Sequence, residues 1–207
     1  MKQAKTVVYV VEDDLSFQKS LKRLIRASGH DVMAFDTAED FLALPCIKRP
    51  SCLLLDVKLP DINGLDLQQR LIEKGSNLPI IFMTGHGTIS MGVNTIKKGA
   101  IDFLPKPFEP KNFRQAVDEA LKKDIQSVKT EKETSKARAL LDALTTREKE
   151  VMRWVITGKL NKQIASALGT TEKTIRVHRG RVMHKTQCSS VAQLIGLTKK
   201  ANISPAS

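Results

Sequence analysis

The stretch Cys52-Leu53-Leu54-Leu55-Asp56-Val57-Lys58-Leu59-Pro60-Asp61-Ile62-Asn63-Gly64 decides how the first half of the chain is read. A short apolar run stops at a single aspartate. A run of this length without alternation reads as a strand buried on both faces, as strands of parallel sheets are. Asp56 then stands at the carboxyl edge of the sheet, where open α/β sheets bind their ligands. Pro60 and Gly64 punctuate the loop leading to the next helix. Alone, Asp56 is only an acid that ends a strand and caps a turn. It gains meaning if other groups reach the same edge.

The pattern repeats outward from this strand. Thr6–Val11 is a β-branched run ending in Glu12-Asp13-Asp14. Phe17, Leu21, Leu24 and Ile25 have helical spacing over Leu15–Ser28, which Gly29 stops. Asp14 suits the N-cap of that helix. Asp31–Phe35 reads as a strand and Thr37–Leu44 as a short helix. A helix over Gly64–Glu73 follows the central strand. Pro79–Met83 is a fourth strand ending at Thr84-Gly85-His86-Gly87, and Ser90–Lys98 a helix. Ala100–Leu104 is a fifth strand ending at Pro105-Lys106-Pro107, and Pro110–Lys122 a last helix, with proline tolerated in its first turn. Five strand–helix alternations in about 120 residues specify a doubly wound, flavodoxin-like parallel sheet.

In the order 2-1-3-4-5 the first and third strands are neighbours at the switch point. Glu12, Asp13 and Asp56 then meet at one edge, with Thr84 and Lys106 beside them. Three carboxylates in a small space repel one another and call for a cation. An all-oxygen donor set with positions left to water suits Mg²⁺. Such a metal holds a phosphoryl oxygen beside one carboxylate, with a lysine and a threonine hydroxyl for the other oxygens. Thr84 alone is a turn residue, Phe103 a core residue and Cys52 a small buried apolar residue. The joint placement of the acids, Thr84 and Lys106 outweighs these plainer readings.

Those residues resemble the receiver domains of two-component response regulators. The likeness rests on Glu12-Asp13, on Asp56 with Leu59-Pro60 and Gly64, on Thr84-Gly85 and on Lys106-Pro107, and covers residues 5–122. It implies that Asp56 is the phosphoacceptor and that Asp13, Asp56 and the Lys58 carbonyl ligate Mg²⁺, with Glu12 acting mainly through water. It further implies Thr84 and Phe103 as a switch pair, Lys106 as the phosphoryl-binding cation, and a cis Lys106-Pro107 bond. Glu12 stands where the family more often has Asp, and its longer arm loosens the metal shell.

Composition divides the chain. Its 207 residues carry a net charge of +12. Residues 1–122 hold 17 Lys/Arg against 15 Asp/Glu, and residues 123–207 hold 17 against 7. All seven phenylalanines and the single tyrosine precede residue 114. A near-neutral half followed by a strongly basic one reads as two domains, the second contacting nucleic acid. No apolar run approaches a membrane span and no signal peptide is present, so a cytoplasmic protein without a membrane partner is expected. Cys46, Cys52 and Cys188 lack metal-ligand spacing and read as free thiols.

Residues 123–140 are polar, of mixed charge, and read as a solvated helical or flexible linker. In 141–202, Thr145 and Glu148 form a capping box for a helix carrying Val151, Trp154 and Val155, which Gly158 stops. Asn161–Leu168, the turn Gly169-Thr170-Thr171 and the helix from Glu172 to Gln187 make a helix-turn-helix. Val191–Lys200 is a final helix. Ile175, Val182 and Met183 form one stripe of the helix that opens at Glu172. Lys173, Arg176, Val177 and Gly180 form another, flanked by Arg179 and Arg181.

Leu144-Thr-x-Arg-Glu148, Asn161-Lys-Gln-Ile-Ala165 and Thr174-Ile-Arg-Val-His-Arg179 resemble the DNA-binding domain of LuxR-type regulators. With the receiver this gives an α/β sheet domain followed by an all-α four-helix domain, the FixJ/NarL type of regulator. Arg176 is placed to read guanine and Val177 a thymine methyl, while Gly180 brings backbone close to the groove. Lys162, Lys173, Arg179 and Arg181 suit phosphates, and the resemblance adds Thr171 and Thr174 to the contacting set. Thr186 and Cys188 depart from the family's usual Leu and Val, which weakens packing of the last helix.

The expected protein is a transcription factor rather than an enzyme. A sensor histidine kinase phosphorylates it, it dimerises in that state on promoter DNA, and RNA polymerase is a further partner. Two alternatives fit less well. An aspartyl-phosphate hydrolase places Asp-x-Asp after the first strand, and an RNA-binding output does not need a helix-turn-helix.

Overall fold

The computed structural model describes residues 6–85 and 100–206. The expected helix over Ser90–Lys98, and His86, lie outside the described residues. The chain divides into two compact units, Met1–Val128 and Lys129–Ser207.

In the first unit the sheet comprises β1 (Val7–Val11), β2 (Asp31–Phe35), β3 (Ser51–Asp56), β4 (Ile80–Thr84) and β5 (Asp102–Pro105). The order is β2-β1-β3-β4-β5 and every pairing is parallel. Among the described residues the helices are α1 (Leu15–Ala27), α2 (Ala38–Leu42), α3 (Gly64–Glu73) and α4 (Pro110–Asp142), the last contributing residues to both units. β1 and β3 are buried along their whole length. The reason is visible in the two cores. Val7, Tyr9 and Val11 of β1, with Leu53 and Leu55 of β3, pack with Phe41 of α2 and Leu67 and Leu71 of α3. Val8, Val10, Cys52 and Leu54 face the other side, against Leu21 and Ile25 of α1 and Phe113, Val117 and Leu121 of α4. Period-2 alternation with apolar cover on both faces leaves no solvent-facing position in either strand.

Asp14 caps α1, accepting from the Ser16 and Phe17 N–H groups. Gly29, at φ +86°, ends that helix in the left-handed region that glycine enters freely. Gly64 answers a different need. A Cβ there would lie 2.3 Å from the Asp56 carbonyl oxygen, so α3 starts against the end of β3 only because position 64 has no side chain.

The expected solvated linker is buried at two residues, Asp124 and Ala137. The buried stripe of α4 runs Phe113, Ala116, Val117, Ala120, Leu121, and its next helical position is Asp124, which is 0% exposed. Asp124 accepts from Arg49 Nε at 3.0 Å, from an Arg49 terminal nitrogen at 2.6 Å and from the Ser51 N–H at 2.8 Å. A buried carboxylate is tolerated only with partners of this kind. The first compact unit accordingly extends past residue 122. Beyond Asp124 the helix is largely solvent-facing until Ala137 and Leu141, both buried.

The second unit contains α5 (Thr146–Val155), α6 (Asn161–Ala167), α7 (Glu172–Lys185) and α8 (Val191–Lys200). Its core joins Ala137 and Leu141 of α4 to Val151, Met152, Val155, Ile164, Ile175, Val182 and Leu194. The capping box at Thr145 and Glu148 is present. Gly158 and Gly169, with φ of +83° and +60°, make the turns that end α5 and α6. The Thr186 hydroxyl donates to the Val182 carbonyl at 2.7 Å, so its burial leaves no orphan donor, and Cys188 packs against the core.

Candidate functional site

The carboxyl edge of the sheet gathers the charged groups. Glu12 follows β1 and is buried, with its N–H donating to the Phe35 carbonyl at 3.0 Å. Asp13 beside it is exposed, and Asp56 ends β3 with 7% exposure. Glu12, Asp13 and Asp56 each offer a carboxylate oxygen within 4.8 Å of the others. That all-oxygen group, open on the Asp13 side, fits a hard divalent cation that keeps part of its water shell.

Lys106 crosses this group. Its ammonium donates to Glu12 Oε2 at 2.6 Å and to Asp56 Oδ2 at 2.7 Å. It also lies 4.5 Å from the centroid of the Phe17 ring. Burial alone lowers the pKa of this ammonium, but the hydrogen bonds to Asp56 and Glu12 outweigh it and the net shift is upward. Burial pushes the Glu12 carboxyl up to about 7, against the Lys106 hydrogen bond and with the Asp56 charge adding to the rise.

The remaining expected residues are placed as follows. The Lys58 N–H donates to Asp56 Oδ1 at 3.1 Å, and its side chain is exposed. Thr84 is the last residue of β4 and is buried, and its carbonyl accepts from the Lys106 N–H at 2.7 Å. Phe103 is half-buried on β5 against the core that α2 and α3 cover. Lys106-Pro107 is cis. Phe17 was read only as part of an apolar stripe. Its second role depends on Lys106, which is distant in sequence, so no local signal could reveal it.

In the second unit, α6 and α7 form the helix-turn-helix pair. Thr171 caps α7, accepting from the Thr174 N–H at 3.2 Å, and the two hydroxyls lie 2.8 Å apart. Lys162, Lys173, Arg176 and Arg181 are exposed. Arg179 is half-buried and donates to Asn161 Oδ1 at 3.1 Å, which ties α7 to the start of α6. Its position is the junction of the pair rather than the open face. Arg176, Val177, Gly180, Arg181, His184 and Lys185 line a shallow concavity of about 470 Å³ along α7. A Cβ at Gly180 would meet nothing within 4 Å, so the notch is open. His184 joins this face four residues after Gly180, a helical spacing that reading the motif alone overlooked.

Lys185 also faces this concavity but is held from behind. Its ammonium donates to Glu148 Oε2 at 2.7 Å, and the same oxygen accepts from the Thr145 N–H at 2.9 Å. The Lys185 hydrogen bond first, then the Thr145 N–H, bring the Glu148 carboxyl down to about 2. The cap read from sequence therefore also clamps the end of α7.

Residues 8–118 match the family model described as a response regulator receiver domain, and residues 142–198 match that of bacterial regulatory proteins, luxR family. The chain is a two-component response regulator. It is 42% identical over 200 residues to nodulation protein W of Bradyrhizobium diazoefficiens, covering 97% of this chain and 88% of that protein. It is 40% identical over 204 residues to response regulator protein TmoT of Ectopseudomonas mendocina, covering 97% and 91%. Among solved structures, the response regulator StyR aligns with a TM-score of 0.85 at 38% identity, covering 95% of this chain and all of that one. Full-length FixJ from B. japonicum aligns with a TM-score of 0.59 at 35% identity, covering 97% and 98%.

This response regulator is a phosphorylation-activated, DNA-binding transcription regulator with a receiver domain and a luxR-type output domain. A histidine kinase and DNA are the partners its two domains imply. Among the described residues no helix is long and apolar enough to cross a membrane.

Proposed function

We propose that Asp56 is the phosphoacceptor, and that Asp13, Asp56 and the Lys58 carbonyl hold Mg²⁺ with Glu12 acting through water. The observation that carries this is the meeting of three carboxylates with Lys106 at the carboxyl edge of β1 and β3. An Asp56 oxygen attacks phosphorus, and the bond from phosphorus to the kinase histidine nitrogen breaks. Mg²⁺, when bound, offsets the charge that builds on the phosphoryl oxygens. Lys106 then exchanges its contact with the Asp56 carboxylate for one with a phosphoryl oxygen and keeps Glu12. The new group brings about −1.5 to −2 charges to the site, and Thr84 and Phe103 reorient towards it.

The receiver takes residues 5–122, the linker 123–140, whose Asp124 and Ala137 pack into the first and second units respectively, and the DNA-binding domain 141–202. The protein acts in the cytoplasm as a switch, not as a hydrolase. Phosphorylation favours a homodimer that sets two copies of α7 on two half-sites, where RNA polymerase is engaged. Sedimentation of the full chain before and after treatment with acetyl phosphate and Mg²⁺ tests this. The phosphorylated form associates at lower protein concentration, and identical association of the two forms refutes the coupling.

On DNA, Arg176 reads a guanine edge, Val177 meets a thymine methyl and Gly180 admits the groove wall. Lys162, Lys173, Arg181 and, from the α6–α7 junction, Arg179 neutralise phosphates, with Thr171 and Thr174 at the start of α7. Arg176 is well exposed, and its ion pair with Glu172 is long at 3.9 Å, so it is readily released. Arg176→Ala costs about 1–3 kcal/mol at one base position and relaxes preference there. Lys162→Ala weakens all sequences alike and lowers the salt slope by about one. Titrations on single-base variants at several salt concentrations separate the two. Uniform loss for Arg176→Ala makes it a phosphate contact instead.

A further inference from the structure

Gln18 lies on α1 five residues after Asp13, is 3% exposed, and belongs to none of the groups assigned above. Its amide nitrogen is 3.2 Å from the Glu12 carbonyl oxygen, 3.4 Å from the Phe35 carbonyl oxygen and 2.8 Å from Asp36 Oδ1. Its amide oxygen accepts from the Lys22 ammonium. The orientation of the amide follows from these neighbours. An ammonium can only donate, while two carbonyls and an ionised carboxylate can only accept. The nitrogen must therefore face the ends of β1 and β2, and the oxygen must face Lys22. A carboxylate at this position would face three acceptors, and an apolar side chain would leave the buried Glu12 carbonyl without this donor.

The turn Glu12–Asp14 is held from several directions. The Gln18 side chain takes the Glu12 carbonyl, the Gln18 N–H donates to the Asp14 carbonyl at 2.8 Å, and the Asp14 carboxylate caps α1. Mutual repulsion drives Glu12 and Asp13 away from Asp56, and Lys106 reaches Glu12 and Asp56. The backbone of the turn therefore has to be restrained if the Asp13 oxygen is to stay within reach of the other two.

We propose that Gln18 is a positioning residue for the divalent-cation pocket. By bridging the backbone ends of β1 and β2, its amide holds the Glu12-Asp13 turn where both acids face Asp56, and so sets the affinity for Mg²⁺. The proposal rests on the assignment of Glu12, Asp13 and Asp56 as the metal pocket. Groups that orient first ligands without touching the metal typically change its affinity by about 10–100-fold when lost.

The test uses calorimetric titration of the unphosphorylated full chain with Mg²⁺ at fixed pH. Gln18→Met keeps the length and removes the donors, while Gln18→Asn keeps the amide but cannot span the gap. Both are uncharged, so the electrostatics of the pocket stay constant. Each raises the Mg²⁺ dissociation constant, by about tenfold for Met, and Gln18→Asn, the milder change, carries the test if Met does not fold. A residue that merely fills the core lowers the melting temperature and leaves Mg²⁺ affinity at the parent value, and that result overturns the proposal. Asp13→Asn is the control. If it binds Mg²⁺ like the parent, the metal pocket itself is wrongly assigned. If it loses Mg²⁺ while both Gln18 variants keep it, the pocket stands and only the role of Gln18 falls.

Discussion

Asp56→Asn protein is expected to take up no phosphoryl group from acetyl phosphate and Mg²⁺, in contrast to the parent chain. An amide lacks the anionic oxygen that attacks phosphorus, so the loss is complete rather than partial. The substitution is nearly isosteric. The Asn side-chain oxygen can still accept the Lys58 N–H, and Lys106 retains Glu12. Gly64 remains seated against the backbone oxygen at position 56. The folded chain is therefore kept while the nucleophile is removed. Intact-protein mass spectrometry reads the outcome as the presence or absence of one phosphoryl group. Undiminished labelling of the variant places the phosphoacceptor elsewhere.

The second large effect is structural. Asp124→Ala removes a carboxylate with 0% side-chain exposure and breaks its ion pair with the Arg49 guanidinium, which is 23% exposed. The Ser51 N–H at the start of β3 loses its acceptor as well. Removing one member of a buried ion pair typically costs about 3–5 kcal/mol. Chemical unfolding followed by the emission of Tyr9, the only tyrosine, reports on the first unit. Its transition shifts by that amount. Asp124→Leu combined with Arg49→Met recovers much of the loss, since replacing both partners with apolar groups is often neutral. A cost below about 1 kcal/mol for the single change would be that of a surface pair and would contradict the burial.

Two features of the chain were legible without coordinates, for different reasons. The strands β1 and β3 are uninterrupted apolar runs because both of their faces are covered, and that pattern is local. The helix-turn-helix is announced by Thr145, Glu148, Gly158 and Gly169, whose cap and turn preferences act within a few residues. The convergence of Glu12, Asp13, Asp56 and Lys106 followed once strand order was inferred, since parallel strands deliver their carboxyl ends to one edge.

What lay beyond the sequence depends on contacts between distant residues. Asp124 is polar and follows a lysine pair, so it reads as solvent-facing. Only the arrival of Arg49 and the Ser51 N–H makes its burial affordable. Phe17, Gln18 and Lys185 carry no local mark of their second roles, which require Lys106, the ends of β1 and β2, and Glu148 respectively. Spacing placed Arg179 on the flank of the Arg176 stripe, and Asn161 holds it at the junction of α6 and α7. Periodicity and capping preferences are short-range and determined the elements and their order. The partners of buried polar side chains are chosen by three-dimensional proximity, and only the tertiary structure decided them.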